Sequence, residues 1–307
     1  MIMIGRIIEI STDNKYLSID RGFLVISENK EEIGRIALDT IEAVIVYAHG
    51  ITYSNNVLVK LAEQKAPLVI CDKNFLPTSI LIPIEGNYSQ ASIMDAQIQA
   101  TEPTKKRLWQ QIVRIKLLQQ SSVLKFLGKP YKFLEELAKN VKSGDVDNKE
   151  GEGARKYFPL LFGKDFIRDR NKDGINTLLN YGYIILRSAT ARAIIASGLH
   201  PTLGLHHKNQ FNPFRLADDL MEPFRPLVDM VVFDLIQKNK TELNKETKSI
   251  LVNILSKNMP VLIGYTETDF CIQTLTTSLA QIYLGKRNDL ELPFIMENEH
   301  WNEFLCN

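Results

Sequence analysis

The spacing of apolar residues changes partway along this chain, and that change limits what it can fold into. Before about residue 88 the apolar residues come in short runs: Ile7-Ile8-Glu9-Ile10, Tyr16-Leu17-Ser18-Ile19 and Phe23-Leu24-Val25-Ile26. Asp13-Asn14 and Arg21-Gly22 separate them, the composition of strands and turns. Further strands are expected over residues 33–38, 43–47, 67–71 and 79–84, interrupted by one helix that Ser54 can cap and that Val57, Leu58 and Leu61 pattern. Beyond that point the period becomes helical. Residues 104–121 put Leu108, Ile112, Ile115 and Leu118 near one face, with Lys105, Lys106, Arg107, Arg114 and Lys116 around the rest. More helices are expected over 154–162, 175–196, 216–237, 245–255 and 274–283, with a polar connection over 142–153. The stretch 286–307 has no clear period and is left unassigned. The expected class is α+β: a β-rich domain over residues 1–95, a sandwich or rolled sheet, then an all-helical domain over 96–307, the shift lying between 88 and 102.

Composition narrows the function classes. A chain of 307 residues has material for about two domains. Its net charge of +1 offers no global attraction to nucleic acid, so any DNA surface must rest on local patches. Cys71, Cys271 and Cys306 have neither the even number of a disulfide framework nor the spacing of a zinc site. The opening MIMIGRIIEI carries Arg6 and Glu9 within its apolar run and no cleavage pattern, unlike a signal peptide. No run reaches the roughly 18 apolar residues of a membrane helix. A cytoplasmic protein with no membrane association is expected.

The chemistry-bearing residues concentrate in LHHKNQFNPFRLADDLMEPFRP, residues 205–226. Adjacent imidazoles, His206 and His207, precede Asp218, Asp219 and Glu222, a mixture of ligand types suited to a divalent ion. Asp218 and Asp219 are each within one helical turn of Glu222, and like charges at that spacing repel unless a cation or an arginine such as Arg225 offsets them. The plainer reading is an acidic first turn favoured by the helix dipole. Pro223 and Pro226 admit two readings as well: a bend in one helix, or a break with Pro223 opening a second one. A third carboxylate, Glu150, stands at the entry of a helix in EGEGARKYF, residues 150–158. Alone it is an ordinary helix-start acid; a carboxylate, an imidazole and a second carboxylate on three segments can instead converge on one ion. No phosphate-binding Gly-x4-Gly-Lys-Ser/Thr loop and no Gly-x-Ser-x-Gly nucleophile elbow is present.

Taken as strings, YLSIDRGFLVI, LWQQIVRIKLLQQ, EGEGARKYF and HHKNQFN followed by LADDLMEPFRP occur in an order that resembles the CRISPR-associated DNA integrases, the first Cas protein, in the subtype found with type II systems. The resemblance spans essentially the whole chain. It implies a β domain followed by a helical catalytic domain, and a site of one Glu, one His and a second acid. Carried onto this sequence, these are Glu150, His207 and Glu222, as both metal ligands and catalytic residues, with Asp219 as an accessory carboxylate. Tyr157, seven residues after Glu150, fixes that register, while Gly153 departs from the usual alanine. The resemblance implies Mg²⁺ or Mn²⁺ as cofactor. It also implies a homodimer, two of which flank a dimer of a small ferredoxin-like CRISPR protein. Prespacer and repeat DNA are implied as further partners, along with the type II effector nuclease and a ring-shaped DNA-end protein. The expected reaction is attack of a prespacer 3′-hydroxyl on a repeat phosphodiester. A stand-alone metal-dependent endonuclease and a catalytically idle DNA-binding scaffold are the alternatives. Candidate DNA contacts are Lys105, Lys106 and Arg107; Arg168, Arg170 and Lys172; and Arg187 with Arg192, although a patch of this kind is more often simply a solvated helix face.

Overall fold

The computed structural model describes residues 6–64, 66, 68–71, 77–81, 90–169 and 172–306. They divide into two compact units, Met1–Gln90 and Ala91–Asn307. In the first, the elements in order are β1 (Arg6–Ile10), β2 (Lys15–Asp20), β3 (Phe23–Glu28), β4 (Glu31–Ala37), β5 (Ile41–Val46), β6 (Ile51–Tyr53), α1 (Asn55–Glu63), β7 (Leu68–Cys71) and β8 (Pro77–Leu81). Arg21 and Gly22, both at positive φ, make the two-residue turn that closes β2 on β3, with Asp20 facing Phe23. The strands form two four-stranded sheets, β1-β5-β7-β8 and β4-β3-β2-β6. Leu17 and Leu24 from one sheet, Val44, Val46 and Leu68 from the other, and Val57 and Leu61 from α1 share one buried cluster. The alternation of apolar and polar residues thus turns both sheets toward a single core. The expected strand at 79–84 is β8, and residues 82–84 lie outside the described residues.

The second unit holds α2 (Gln90–Ile98), α3 (Glu102–Phe126), α4 (Lys132–Lys139), α5 (Lys149–Phe162), α6 (Ile175–Ala196), α7 (Arg215–Leu220), α8 (Arg225–Gln237), α9 (Lys245–Val252), the strands β9 (Asn258–Pro260) and β10 (Tyr265–Glu267), then α10 (Thr268–Tyr283) and α11 (Asn298–Cys306). It is helical except for the antiparallel β9–β10 pair, a departure from the all-helical expectation. No helix among the described residues is long and apolar enough to cross a membrane.

Three further departures have local causes. The helix expected to start at 154 starts at Lys149, because Asn148 accepts the Gly151 N–H at 3.0 Å and Asp145 accepts those of Lys149 and Glu150 at 2.8 and 3.0 Å. The helix expected over 216–237 is two helices joined by a 3₁₀ turn over Glu222–Phe224; Pro223 opens that turn and Pro226 lies in the first turn of α8. The unassigned tail contains α11. Its Trp301 is buried and donates from Nε1 to Ser122 Oγ of α3 at 2.8 Å, so one aromatic anchor holds a segment whose period is too irregular to read.

Candidate active site

The centre of the second unit is built on α3. Trp109, Val113, Lys116 and Gln120 follow one another at three- or four-residue steps on one buried stripe, so a lysine and a glutamine stand where an apolar residue is expected. Gly153, on α5, explains how close α5 comes. A Cβ there would lie 2.4 Å from Leu117 Cδ2 and 3.3 Å from Leu134 Cδ2, so a side chain at this position would force the Leu117 side chain to shift. With α5 drawn in, Glu150 joins Lys116, His207, Glu222, Arg225 and Asp229 in lining a cleft of about 280 Å³.

An ammonium sits between the carboxylates. Lys116 Nζ is 2.5 Å from Glu150 Oε1 and 2.6 Å from Glu222 Oε2, and Arg225 Nε lies 2.7 Å from Glu222 Oε1. Burial alone would raise the Glu222 carboxyl, but Arg225 and Lys116 hold it down at about 2. Burial likewise works to lower the Lys116 ammonium, and Glu222 and Glu150 outweigh it, so its pKa lies above the usual lysine value. Deeper in the cleft Asp229 accepts a hydrogen bond from Tyr183 Oη, and burial pushes its carboxyl up to about 6. Arg225 also stacks over the Tyr183 ring at 4.5 Å, which fixes its direction.

The two histidines are held differently. His207 Nδ1 is 2.6 Å from Asp219 Oδ1, and fully buried Asp219 also accepts the backbone N–H groups of Leu205, His206 and His207. That leaves His207 Nε2 as the ring nitrogen open to a ligand, the arrangement in which a carboxylate orients a metal-binding imidazole. The hydrogen bond to Asp219 raises the His207 pKa against the opposing effect of burial. His206 lies flat on Trp109, centroids 4.4 Å apart and planes 3° apart, and does not line the cleft. Asp218 turns away to a clamp with Arg187 Nε at 2.7 Å, supported by Asn212. Asp219 thus acts on His207 rather than on the cleft.

The donor set suits a divalent ion. Glu150, Glu222 and His207 offer oxygen and nitrogen ligands from three segments, and the buried acceptor Gln120 Oε1 beside them has no hydrogen-bond partner among the described residues. The position between the two glutamates already holds a cation, the Lys116 ammonium. Among the described residues no three His, Cys, Asp or Glu side chains are gathered closely enough to hold a metal.

The proposed DNA contacts fare unevenly. Arg168 donates to Asn176 and Asn180 at 3.0 and 2.8 Å and lines the cleft. Arg187 is engaged with Asp218 and stacks over Phe214 at 5.0 Å. Arg192 is only 4% exposed and faces Asp269 at 3.2 Å, so it is withdrawn as a surface contact because a phosphate backbone cannot reach it. Arg107 donates to Asn288 O and Asp289, tying α3 to the segment before α11. Lys106 is exposed, and Lys105 borders a second groove of about 200 Å³ with His206, Lys208 and Arg215. Lys172 is exposed, while Arg170 lies outside the described residues. Sequence reasoning placed Lys116 on the solvated side of α3 and overlooked Gln120, Tyr183 and Asp229; the polar interruptions of the Trp109–Val113 stripe were the available signal.

Comparison with known proteins adds an independent line. The profile of the family described as CRISPR associated protein Cas1 matches residues 8–258. A CRISPR-associated endonuclease Cas1 of Neisseria meningitidis serogroup C (strain 8013) is 36% identical over 285 residues, covering 91% of this chain and 93% of that one. Among solved structures, a casposase bound to integration product superposes with a TM-score of 0.70 at 22% identity, covering 93% of this chain and 92% of that one. A chain of a partial Cas6-RT-Cas1–Cas2 complex gives a TM-score of 0.70 at 20% identity, with 94% and 98% covered. At those identities the two structures speak to the fold.

Proposed function

Since the chain belongs to the CRISPR-associated Cas1 family, we propose that it is a metal-dependent DNA integrase, joining prespacer 3′-ends to the repeat by transesterification. The observation that carries this reading is the meeting of Glu150, His207 and Glu222, from three separate segments, along one cleft. These residues would hold Mg²⁺ or Mn²⁺, which when bound supplies a Lewis acid to the phosphoryl oxygen. In the joining step the 3′-oxygen forms a bond to phosphorus, the bond to the departing 3′-oxygen of the repeat strand breaks, and one proton passes from the attacking to the leaving side. Asp219 fixes the His207 ring so that Nε2 faces outward from the carboxylate. Arg225 keeps Glu222 ionised and in place. Arg168, at the cleft wall, supplies positive charge toward a phosphodiester entering there.

The proposed assembly is a homodimer that pairs with a small Cas2-like partner on prespacer DNA. Its support is the family and the presence of Cas2 in the Cas6-RT-Cas1–Cas2 complex that shares the fold. The type II effector nuclease and a DNA-end-binding ring protein are further proposed partners. A second reading, a stand-alone endonuclease with water as the nucleophile at the same site, is favoured by the description of the Neisseria relative as an endonuclease. End-labelled prespacer incubated with a repeat-containing plasmid, with and without the partner, separates the two. Label transferred to the plasmid is the expected result; nicking without transfer would establish the endonuclease instead.

A further inference from the structure

The ammonium between the two glutamates has a consequence for how an ion enters. Lys116 is 7% exposed, and its Nζ bridges Glu150 Oε1 and Glu222 Oε2 at 2.5 and 2.6 Å. Glu222 has two oxygens: Oε1 is taken by Arg225, which its stacking on Tyr183 holds in place, and Oε2 faces Lys116. An ion using Glu222 must therefore share Oε2 with the ammonium or replace it. Sharing is disfavoured, since a divalent cation and an ammonium on one buried oxygen repel strongly where the surroundings screen poorly. The charge tally agrees. Above about pH 6, Lys116, Arg168 and Arg225 already balance Glu150, Glu222 and Asp229 along the cleft, so an ion added on top leaves two uncompensated charges there. The lysine can yield where the arginine cannot. Its stem is flexible and the adjoining cleft has about 280 Å³ of room.

We propose that Lys116 is a positioning residue whose ammonium stands in for the divalent ion, holding Glu150 and Glu222 apart-charged but together in the metal-free chain and leaving the pair when the ion binds. This rests on the metal-dependent reading above and adds to it a built-in competitor for the ion. The cleft is kept folded and ready without metal, at a cost in metal affinity.

The test uses the full chain without DNA. Mn²⁺ binding to wild type, Lys116→Met and Lys116→Arg is measured by calorimetry and by the electron paramagnetic resonance of unbound Mn²⁺, and melting is followed in chelator and in saturating Mn²⁺. Lys116→Met, which keeps the stem and removes the charge, is expected to bind Mn²⁺ at least tenfold more tightly than wild type. It is also expected to melt lower in chelator, so that the gap between metal-free and metal-loaded melting widens. Lys116→Arg should stay near wild type. In the wild-type chain, with ¹³C at the lysine Cε positions, Mg²⁺ should shift one buried-lysine resonance in step with saturation, a readout that survives if the methionine variant fails to fold. Equal or weaker Mn²⁺ binding by Lys116→Met, or a lysine spectrum unmoved at Mg²⁺ saturation, overturns the proposal and leaves the metal site standing. Absence of any Mn²⁺ binding to wild type and variant alike overturns both.

Discussion

At the residue scale, two buried acids in one cleft behave oppositely because their neighbours differ. Glu222 faces Arg225 and Lys116 and is held at about 2, so in the folded state it stays ionised below the pH at which an unfolded glutamate takes up its proton. Its pairing contributes stability that is complete above about pH 4.5 and is lost as the pH falls toward 2. Asp229 meets mainly burial, and its carboxyl sits at about 6 against an ordinary 3.8. Between those values the folded chain binds a proton that the unfolded chain has released, so this group's contribution to stability falls as pH rises through that range. Asp229→Asn, which keeps an acceptor for Tyr183, should stabilise the protein at pH 8 by on the order of 2 kcal/mol, with the gain gone near pH 4. Calorimetric melting at the two pH values measures it; a gain that is the same at both would place the effect elsewhere. His207 and His206 give a second contrast. His207→Ala should lower joining by about 100-fold or more by removing an oriented ligand, whereas His206→Ala should lower the melting temperature through its lost stacking on Trp109 and keep most of the joining. Product yield under single-turnover conditions reads both, and a dead His206→Ala beside an active His207→Ala would reverse their roles. Spacing made these histidines conspicuous as a pair without separating them, and the choice of His207 came from the resemblance alone. The difference lies in Asp219 and Trp109, which local spacing does not bring near.

At the scale of elements, the change of period from two to helical was legible because β-branched runs and turn residues in the first unit, and long amphipathic stretches in the second, each agree with the observed core. What was not legible came from capping and from contacts distant in sequence. Asn148, in the left-handed region, starts α5 five residues early and so puts Glu150 inside the helix. The α9–α10 segment hides the β9–β10 pair, too short for its alternation to show. The break at Pro223 was one of two readings the prolines allowed, but that it sets Glu222 on a 3₁₀ turn facing Lys116 depends on a contact distant in sequence. Packing also sets limits that propensity misses. Gly182 of α6 lies against α8, where an added Cβ would come within 2.4 Å of Val228 Cγ1, and a β-branched side chain has little freedom to move. Gly182→Ala should therefore destabilise by about 1–3 kcal/mol despite alanine's better helix propensity. Urea unfolding checks this, and a stabilised variant would show that α6 and α8 are free to separate.

At the scale of the whole molecule, a net charge of +1 leaves DNA binding to local cations, and several arginines that looked available are occupied within the fold. Lys105 and Lys106 on α3 are better placed, since Lys106 is exposed and Lys105 borders the groove beside His206, with Glu102 at 3.8 Å as a loose surface partner. Replacing both by alanine should reduce the slope of prespacer affinity against salt by about 0.9 per lost phosphate contact, while Arg107→Ala should lower the melting temperature and leave the slope alone. Fluorescence anisotropy across a salt series separates the two outcomes; an unchanged slope in the double variant would make that face of α3 merely solvated. The central claim is that Glu150, His207 and Glu222 act together in metal-dependent strand joining, and single-turnover transfer of labelled prespacer into a repeat plasmid tests it most directly. In Mn²⁺ with the small partner present, Glu150→Gln, His207→Ala and Glu222→Gln should each lose joining by about 100-fold or more while prespacer still binds, and the wild type should stop in excess chelator. Joining at wild-type rate in any one of the three variants, or undiminished in chelator, would contradict it.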